Sequence, residues 1–499
     1  MKESNSAINW FRSAGPVVEM PKEKIRRVAL WDVTNKCDLR CVHCYNYDKY
    51  MAKNASIKNE TSTTEALTII DKLADFGFNQ IHFLGGEPLN RPDCLDLFSY
   101  AISRGIKVTI NTNGIRLTAD IIKQLIDRGV SQVAVSLDGS DAISNDRIRG
   151  NGTFQRITTN LEKFSELITK NNSNILLGII STLTYPLLQE PEKVGGYFSL
   201  ADKLGINWLN FIFLYKNSKA LSEANSLAYP MGMALDVIEK EVVKGKREYP
   251  EIYVQLDCRP LFGKYLNRKY GIITHIYHWA IKCSAGNHTW LIDADGQAHP
   301  CGICTSPEYG LAASEAGCFI YEPKNLVEVE NCQEVYESRY FKSVRNYLYD
   351  KNNYKKFHIC NDCEYFGDVC LPCPLYSTEG PAFKLDSCGV EECKWVISKL
   401  DSFYAEKQNV VPKMKINGIE KRPDKNGKSK LFLSDGSLHF KVTGSGDYLW
   451  GLIDNTTSIN EMVEKISLTF TNCPDKNVLL RDVVDYLCNL RDGNIITLD

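Results

Sequence analysis

RRVALWDVTNKCDLRCVHCYN, residues 26 to 46, sets the fold: a short branched and aromatic run leads straight into three cysteines spaced CxxxCxxC. VALWDV has the make-up of a buried strand, which leaves Cys37, Cys41 and Cys44 in the loop at its C-terminal end. Three thiolates in one loop suit a cubane iron-sulfur cluster with one iron open to an exogenous ligand. Zinc is the alternative, and it would need His43 to close a cramped tetrahedron between two of its fellow ligands.

The same strand-then-turn grammar repeats downstream. QIHFLGG (80–86), IKVTINTNG (106–114), VSQVAVSLDG (130–139), NILLGIIST (174–182) and INWLNFIFL (206–214) are short apolar strands. Between them EALTIIDKLADFG, TADIIKQLIDRG and FQRITTNLEKFSELI have helical periodicity, and Ser62 with Glu65 gives the first a capping-box start. Strands alternating with helices predict an α/β fold, a partial (β/α)6 TIM-type barrel or an open sheet, with sites at the C-terminal strand ends. The motifs sit there. Gly85 and Gly86 allow a tight turn or a close backbone approach, Pro88 restricts the exit, and Asp138 is either a substrate contact or a turn carboxylate.

At 499 residues the chain is long enough for about three domains. Lys plus Arg number 59 against 61 Asp plus Glu, so a net charge of -2 offers no bulk attraction to nucleic acid or membrane. No apolar run reaches signal-peptide or membrane-spanning length, and a cytoplasmic location follows as the expectation. In a reducing compartment clustered cysteines are ligands or catalytic thiols rather than disulfides. Of 18 cysteines, three lie in 37–44 and eleven in 283–393.

That second field reads CSAGNHTWLIDADGQAHPC (283–301), then CNDCEYFGDVCLPC (360–373), then Cys388 and Cys393. Its CxxC pairs and distant cysteines suit one or two zinc ions or iron-sulfur clusters. Pro, Gly and Cys break the periodicity too often for a large core, so metal cross-links would supply what packing does not.

Taken together these motifs resemble the radical S-adenosylmethionine superfamily. The resemblance is carried by CxxxCxxC, GGEP at Gly85 to Pro88, TNG at Thr112 to Gly114, VSLDG at Val135 to Gly139, and NDRIRG after it. It implies a 4Fe-4S cluster on Cys37, Cys41 and Cys44 whose open iron chelates S-adenosylmethionine. One electron, from a donor such as flavodoxin or ferredoxin, then yields a 5'-deoxyadenosyl radical that abstracts a substrate hydrogen. Tyr45 would lie against the adenine, and the backbone of Gly85, Gly86, Glu87 and Pro88 would bind the methionine amine. Asn113, Ser136 and Arg149 would contact the ribose and carboxylate ends, and Asp138 joins the cysteines as a candidate catalytic residue.

With that motif upstream, 258–402 resembles the SPASM extension, which carries auxiliary 4Fe-4S clusters, for three clusters in all. Six and then two residues separate its last cysteines where five and then three are usual, with the reach from Cys363 to Cys373 kept. Carried over, Cys283, Cys301 and Cys373 serve the first auxiliary cluster with Cys258 as fourth ligand; Cys360, Cys363 and Cys370 serve the second, completed by Cys393 or Cys388. Cys304, Cys318, Cys332, Cys94, Cys473 and Cys488 read as buried small hydrophobes, Cys304 being nearest a proposed ligand.

The tail, with KLFLSDG, SLHFKVTG and two helical stretches, resembles the PqqD-like winged-helix domain that recognises leader peptides of ribosomally made, modified peptides. In that family the leader adds as an edge strand and lies against a helix, which is β-augmentation. The expected layout is therefore an extension (1–26), barrel (27–217), helical connector (218–257), SPASM region (258–402), exposed linker (403–418) and leader-recognition domain (419–499). The expected function is a peptide maturase that installs a thioether, carbon-carbon or carbon-oxygen cross-link in a precursor peptide. The alternatives are a radical enzyme of the sulfatase-maturing or cofactor-precursor-modifying type, and a non-catalytic zinc or iron-sulfur interaction protein.

Overall fold

Strands in this chain are mostly buried on both faces, which requires covering layers on each side of the sheet. The computed structural model describes residues 15–16, 27–44, 60–214, 227–258, 260–271, 275–276, 283–305, 307–353, 363, 365, 388–415, 419–423, 429–432, 438–442, 445–471 and 473–498. A two-residue strand β1 (Gly15–Pro16) comes first. The six expected strands follow as β2 (Val28–Asp32), β3 (Gln80–Leu84), β4 (Lys107–Thr112), β5 (Gln132–Ser136), β6 (Leu176–Leu183) and β7 (Trp208–Phe213), all parallel and paired in sequence order.

The sheet is longer than that barrel at both edges. Residues expected as a purely helical connector end in β8 (Tyr253–Asp257), which pairs parallel with β7, and β9 (His275–Ile276) follows it. On the other edge β10 (Thr289–Ile292) runs parallel to β2, and β11 (Gln297–His299) and β12 (Lys324–Asn325) complete the sheet antiparallel. The start of the cysteine-rich region is thus welded to the barrel by backbone pairing. Local chemistry agrees with these placements. Ser62 Oγ accepts from Glu65 N–H at 3.3 Å and Glu65 Oε2 accepts from Ser62 N–H at 2.7 Å, starting the helix Thr63–Asp75, which buries Ala66, Ile69, Ile70 and Leu73. Gly178 on β6 faces Trp208 on β7, and a Cβ there would fall 1.9 Å from the indole, so only glycine admits the ring.

The helix Cys388–Lys407 packs on the helices Pro260–Tyr270 and Met231–Val237, with Trp395 edge-on to Phe262 and Tyr265 at 5.7 Å. Residues 403–407, placed with the linker on sequence grounds, finish this helix, and Phe403 and Tyr404 are buried. After it, β13 (Lys413–Met414) pairs with β17 (Ile496–Thr497), so the segment is tied at both ends. β14 (Glu420–Pro423), β15 (Ser429–Phe432) and β16 (Leu438–Val442) form an antiparallel sheet that includes the expected hairpin, with Leu431 opposite Phe440. Helices Ser445–Gly451, Ile459–Thr469 and Lys476–Asp492 accompany it. The last is held to the barrel side by Asp485, which lies 2.7 Å from Lys264 Nζ and 3.1 Å from Arg268 Nε and whose carboxylate accepts from the Tyr404 hydroxyl at 2.9 Å. Among the described residues no helix is long and apolar enough to cross a membrane.

Candidate active site

The cysteine loop, GGEP, TNG and VSLDG each lie at the C-terminal end of a strand, and NDRIRG lies in and just after the helix Ala142–Arg149. The loop after β2 carries Cys37, Cys41 and Cys44, each partly buried. The turn after β3 reaches over to it: Gly86 N–H donates to Thr34 O and Glu87 N–H to Lys36 O, both at 2.8 Å. This contact is what the two glycines permit. A Cβ on Gly85, whose φ is +126°, would lie 2.4 Å from Thr34 O, and one on Gly86 would lie 2.3 Å from Lys36 O.

Glu87 is fully buried. It accepts from Leu89 N–H (3.1 Å), the Thr112 hydroxyl (2.7 Å) and Asn113 N–H (2.7 Å), and burial pushes its pKa up to about 7. Its side chain therefore braces the end of β4. Asn113, expected on the cofactor, donates from Nδ2 to Asp38 Oδ1 at 2.7 Å and lies 3.8 Å from Cys37 Sγ. Pro88 begins a short 3-10 turn that is also buried.

The opposite flank is ionic. Asp138, after β5, is buried with Oδ2 2.7 Å from Arg149 Nε and 3.0 Å from His43 Nε2, while Oδ1 accepts from Thr182 N–H at 2.8 Å. Burial alone would raise its pKa, but Arg149 and His43 outweigh that and hold it well below the usual carboxylate range. Arg149 also sets a guanidinium nitrogen 3.8 Å from Cys41 Sγ, and Ile148 O accepts from Val42 N–H at 3.1 Å. Arg149 and Asp138 are thus partners of each other and of the cysteine loop. His43, weighed on sequence only as a zinc ligand, turns its Nε2 to Asp138. Asn145 escaped the sequence reading although it stands inside NDRIRG; its Oδ1 accepts from Asp138 N–H at 3.0 Å. Ser136 is half-buried at the end of β5, beside Ile180 in register.

The donor set fits an iron-sulfur cluster. Burial raises the pKa of Cys37 and Cys41, so the thiols need positive charge to ionise, and Arg149 is the cation beside Cys41. Leu39 N–H (3.5 Å) and Asn113 Nδ2 (3.8 Å) approach Cys37 Sγ, the N–H to sulfur contacts that tune such clusters. Among the described residues no three Cys, His, Asp or Glu converge as ligands of a single metal ion. A cavity of about 550 Å³ opens beside the loop, lined in part by Asp38, Leu39, Arg116 and Arg156.

Two cysteines of the second field lie at the other end of the sheet. Cys283 precedes β10 and Cys301 follows β11, so both sit at the N-terminal end of β2, about 17 Å along the strand from the first loop at 3.3 Å per residue. Cys301 Sγ lies 3.6 Å from Cys304 Sγ, and Cys283, pushed up to about 11 by burial, is near enough to Cys301 to feel it. The close partner of Cys301 is therefore a residue that sequence reading set aside, although CGIC is itself a CxxC. Cys258 directly follows β8, at the opposite polarity of the sheet from Cys283 and Cys301, and its acidic neighbours are Asp257 and Glu392. That departs from its expected place beside them and puts it near the helix that carries Cys393. Cys363 is partly buried, and Cys94, Cys318, Cys332 and Cys488 are buried. Tyr45, Cys360, Cys370 and Cys373, and the Cys388 side chain, lie outside the described residues.

Residues 31–183 match the model of the Radical SAM superfamily. The chain is 34% identical over 233 residues to the Fe-coproporphyrin III synthase of Methanosarcina barkeri, a match covering 45% of this chain and 55% of that protein. It is 34% identical over 152 residues to the mycofactocin maturase MftC of Mycobacterium tuberculosis, covering 28% and 38%. Its fold is similar to that of Streptococcus suis SuiB bound to its precursor peptide SuiA, with a TM-score of 0.53 and 17% identity over 73% of this chain and 76% of that one. The chain thus spans about half the length of the synthase it matches. The matched segment holds the cysteine loop, GGEP, Asp138 and Arg149, and brings with it the capacity to bind S-adenosylmethionine and an iron-sulfur cluster.

Proposed function

We propose that this chain is a radical S-adenosylmethionine oxidoreductase that abstracts hydrogen from its substrate at the mouth of the barrel. A 4Fe-4S cluster on Cys37, Cys41 and Cys44 would supply the electron for cleavage of S-adenosylmethionine. The chain's own residues hold the loop for that chemistry. Asn113 and the Gly85–Glu87 backbone fix one flank, while Asp138, His43 and Arg149 fix the other and place a positive charge at Cys41. The observation that carries the reading is this convergence of four strand ends on one cysteine loop. The exposed Arg116 and Arg156 lining the adjoining cavity, with the exposed Arg40 in the cysteine loop, offer an acidic low-potential donor, such as a flavodoxin or ferredoxin, a cationic face.

Two substrate classes follow from different features. Similarity to a protein named for making Fe-coproporphyrin III favours the modification of a cofactor precursor, and the comparisons weigh more toward this class, with the sulfatase-maturing type beside it, than toward peptide cross-linking. The small sheet β14–β16, to one edge of which the chain's own β1 is added, favours a ribosomally made precursor gripped through its leader by a winged-helix domain. Mass spectrometry decides between them: reduced enzyme and S-adenosylmethionine are incubated with iron coproporphyrin, with a Cys-containing sulfatase-type peptide, and with a precursor peptide encoded nearby. Loss of two hydrogens from the precursor supports cross-linking; conversion of either other substrate with none of the precursor refutes it. About two or three zinc ions per chain with no sulfide would refute radical chemistry altogether.

A further inference from the structure

We infer that the chain's own strand Gly15–Pro16 holds the outer edge of β16, the edge at which a leader would add if the resemblance of the tail to a leader-recognition domain holds, until a substrate peptide displaces it. The inference rests on the peptide-substrate reading above. Gly15 stands opposite Lys441 and Pro16 opposite Phe440, antiparallel, which makes β1 a fourth strand on the three-stranded tail sheet. β1 also lies beside the helix Lys476–Asp492, so its seat is a groove between a sheet edge and a helix.

The two edges of that sheet are not equivalent. β14 reads Glu420, Lys421, Arg422, Pro423, three charges and a residue with no N–H, the composition that blunts an edge against pairing. β16 reads LHFKV, with no proline and one ammonium, and remains competent to pair. It is the edge that carries the added strand. The occupant is weak by its own chemistry. Pro16 donates no hydrogen bond, and Gly15 loses more backbone entropy on ordering than any other residue. A substrate segment of β-branched residues with all its N–H groups would form a fuller ladder and displace it, while covalent attachment keeps the occupant at high effective concentration. The contact thus sets a threshold that favours strand-forming peptides over unrelated ones.

The test uses a fluorescein-labelled synthetic peptide NWFRSAGPVVEMPK, residues 9 to 22, and three proteins: the full chain, the chain lacking residues 1–22, and full-length Gly15→Pro, which removes the last N–H of β1. The expected result is at least about tenfold tighter binding of the peptide to the truncated chain than to the full chain, with Gly15→Pro close to the truncation. Hydrogen exchange across 438–442 should speed up on truncation and slow again when the peptide is added, while the helices Ile459–Thr469 and Lys476–Asp492 exchange unchanged, which checks folding. Equal affinity for all three proteins, no binding to the truncated chain, or exchange at 438–442 indifferent to both changes overturns the inference. Because the probe is a piece of this chain, failure to find a modified peptide substrate leaves this measurement intact, and failure here leaves cleavage of S-adenosylmethionine untouched.

Discussion

Asp138→Asn tests the ionic flank of the cysteine loop most directly. In the native arrangement one carboxylate oxygen meets Arg149 Nε at 2.7 Å and His43 Nε2 at 3.0 Å, and the other accepts from Thr182 N–H. The amide removes the charge and turns an N–H donor toward two donors. Arg149 is only 8% exposed, so its guanidinium becomes a buried charge without a counter-ion. Breaking such a pair costs about 3 to 5 kcal/mol, and the low end applies because some of Arg149 reaches solvent. At about 1.4 kcal/mol per factor of ten, about 3 kcal/mol makes local opening roughly a hundredfold more frequent. Native-state hydrogen exchange read by mass spectrometry on peptides covering 37–44 and 180–184 reports it, since Val42 N–H donates to Ile148 O and Thr182 N–H to Asp138. Arg149→Met removes the stranded cation. The double variant should therefore exchange more slowly than Asp138→Asn alone, with a coupling of about 2 kcal/mol. An effect of Asp138→Asn below about tenfold, or additivity with Arg149→Met, refutes the account.

Gly86→Ala places a methyl 2.3 Å from Lys36 O, so the variant should fold its barrel yet lose most iron from the first loop and, with it, cleavage of S-adenosylmethionine; full iron content would contradict the close approach. If three cubanes are present, the wild-type chain should carry roughly twelve irons, and a triple Cys37, Cys41 and Cys44→Ala variant about eight, measured with sulfide under anaerobic conditions. At the tail, Lys264, Arg268 and Tyr404 outweigh burial and hold the Asp485 carboxyl below its ordinary value of 3.8. A depressed folded-state pKa means that this stabilisation is complete above the unfolded value and is lost as pH falls through the folded one. Asp485→Asn should therefore loosen the helix Lys476–Asp492 at pH 7 by about 2 kcal/mol, seen as faster hydrogen exchange, and the difference from wild type should shrink as pH falls below the ordinary carboxylate range. A difference that persists in acid would assign the effect to packing instead.

Legibility followed the range of the interactions. β2 to β7 show in the sequence because each is a local apolar run ended by a turn, and the capping box at Ser62 is a three-residue signal. β8 and β10 do not show, because YVQLD and TWLI are short and their membership of the sheet depends on neighbours far along the chain. Within the site, residue identity was legible and direction was not. GGEP, Asn113 and Arg149 all border the cysteine loop, yet Glu87 turns inward to Thr112 and Asn113, and Arg149 turns to Asp138. Those orientations come from burial and partner charge, which spacing does not encode. The approach of Cys304 to Cys301 was within reach of the CxxC pattern, whereas the pairing of β1 with β16 joins the two ends of the chain and leaves no local trace.

Strand polarity also separates the first cysteine loop from the Cys283 and Cys301 pair. The loop of Cys37, Cys41 and Cys44 caps the C-terminal ends of the parallel strands, and the Cys283 and Cys301 pair hangs at the N-terminal end of β2 through the hairpin β10–β11. About 17 Å of strand between them forbids a ligand shared by the first loop and the Cys283 and Cys301 pair. A group held by Cys283 and Cys301 would instead relay electrons across that distance to or from a substrate at the barrel mouth, after hydrogen abstraction. Replacing Cys301 by Ser should then separate the two steps. Cleavage to 5'-deoxyadenosine continues, while net oxidation of the substrate falls at least about tenfold, and equal loss of both would place the two fields in one functional unit.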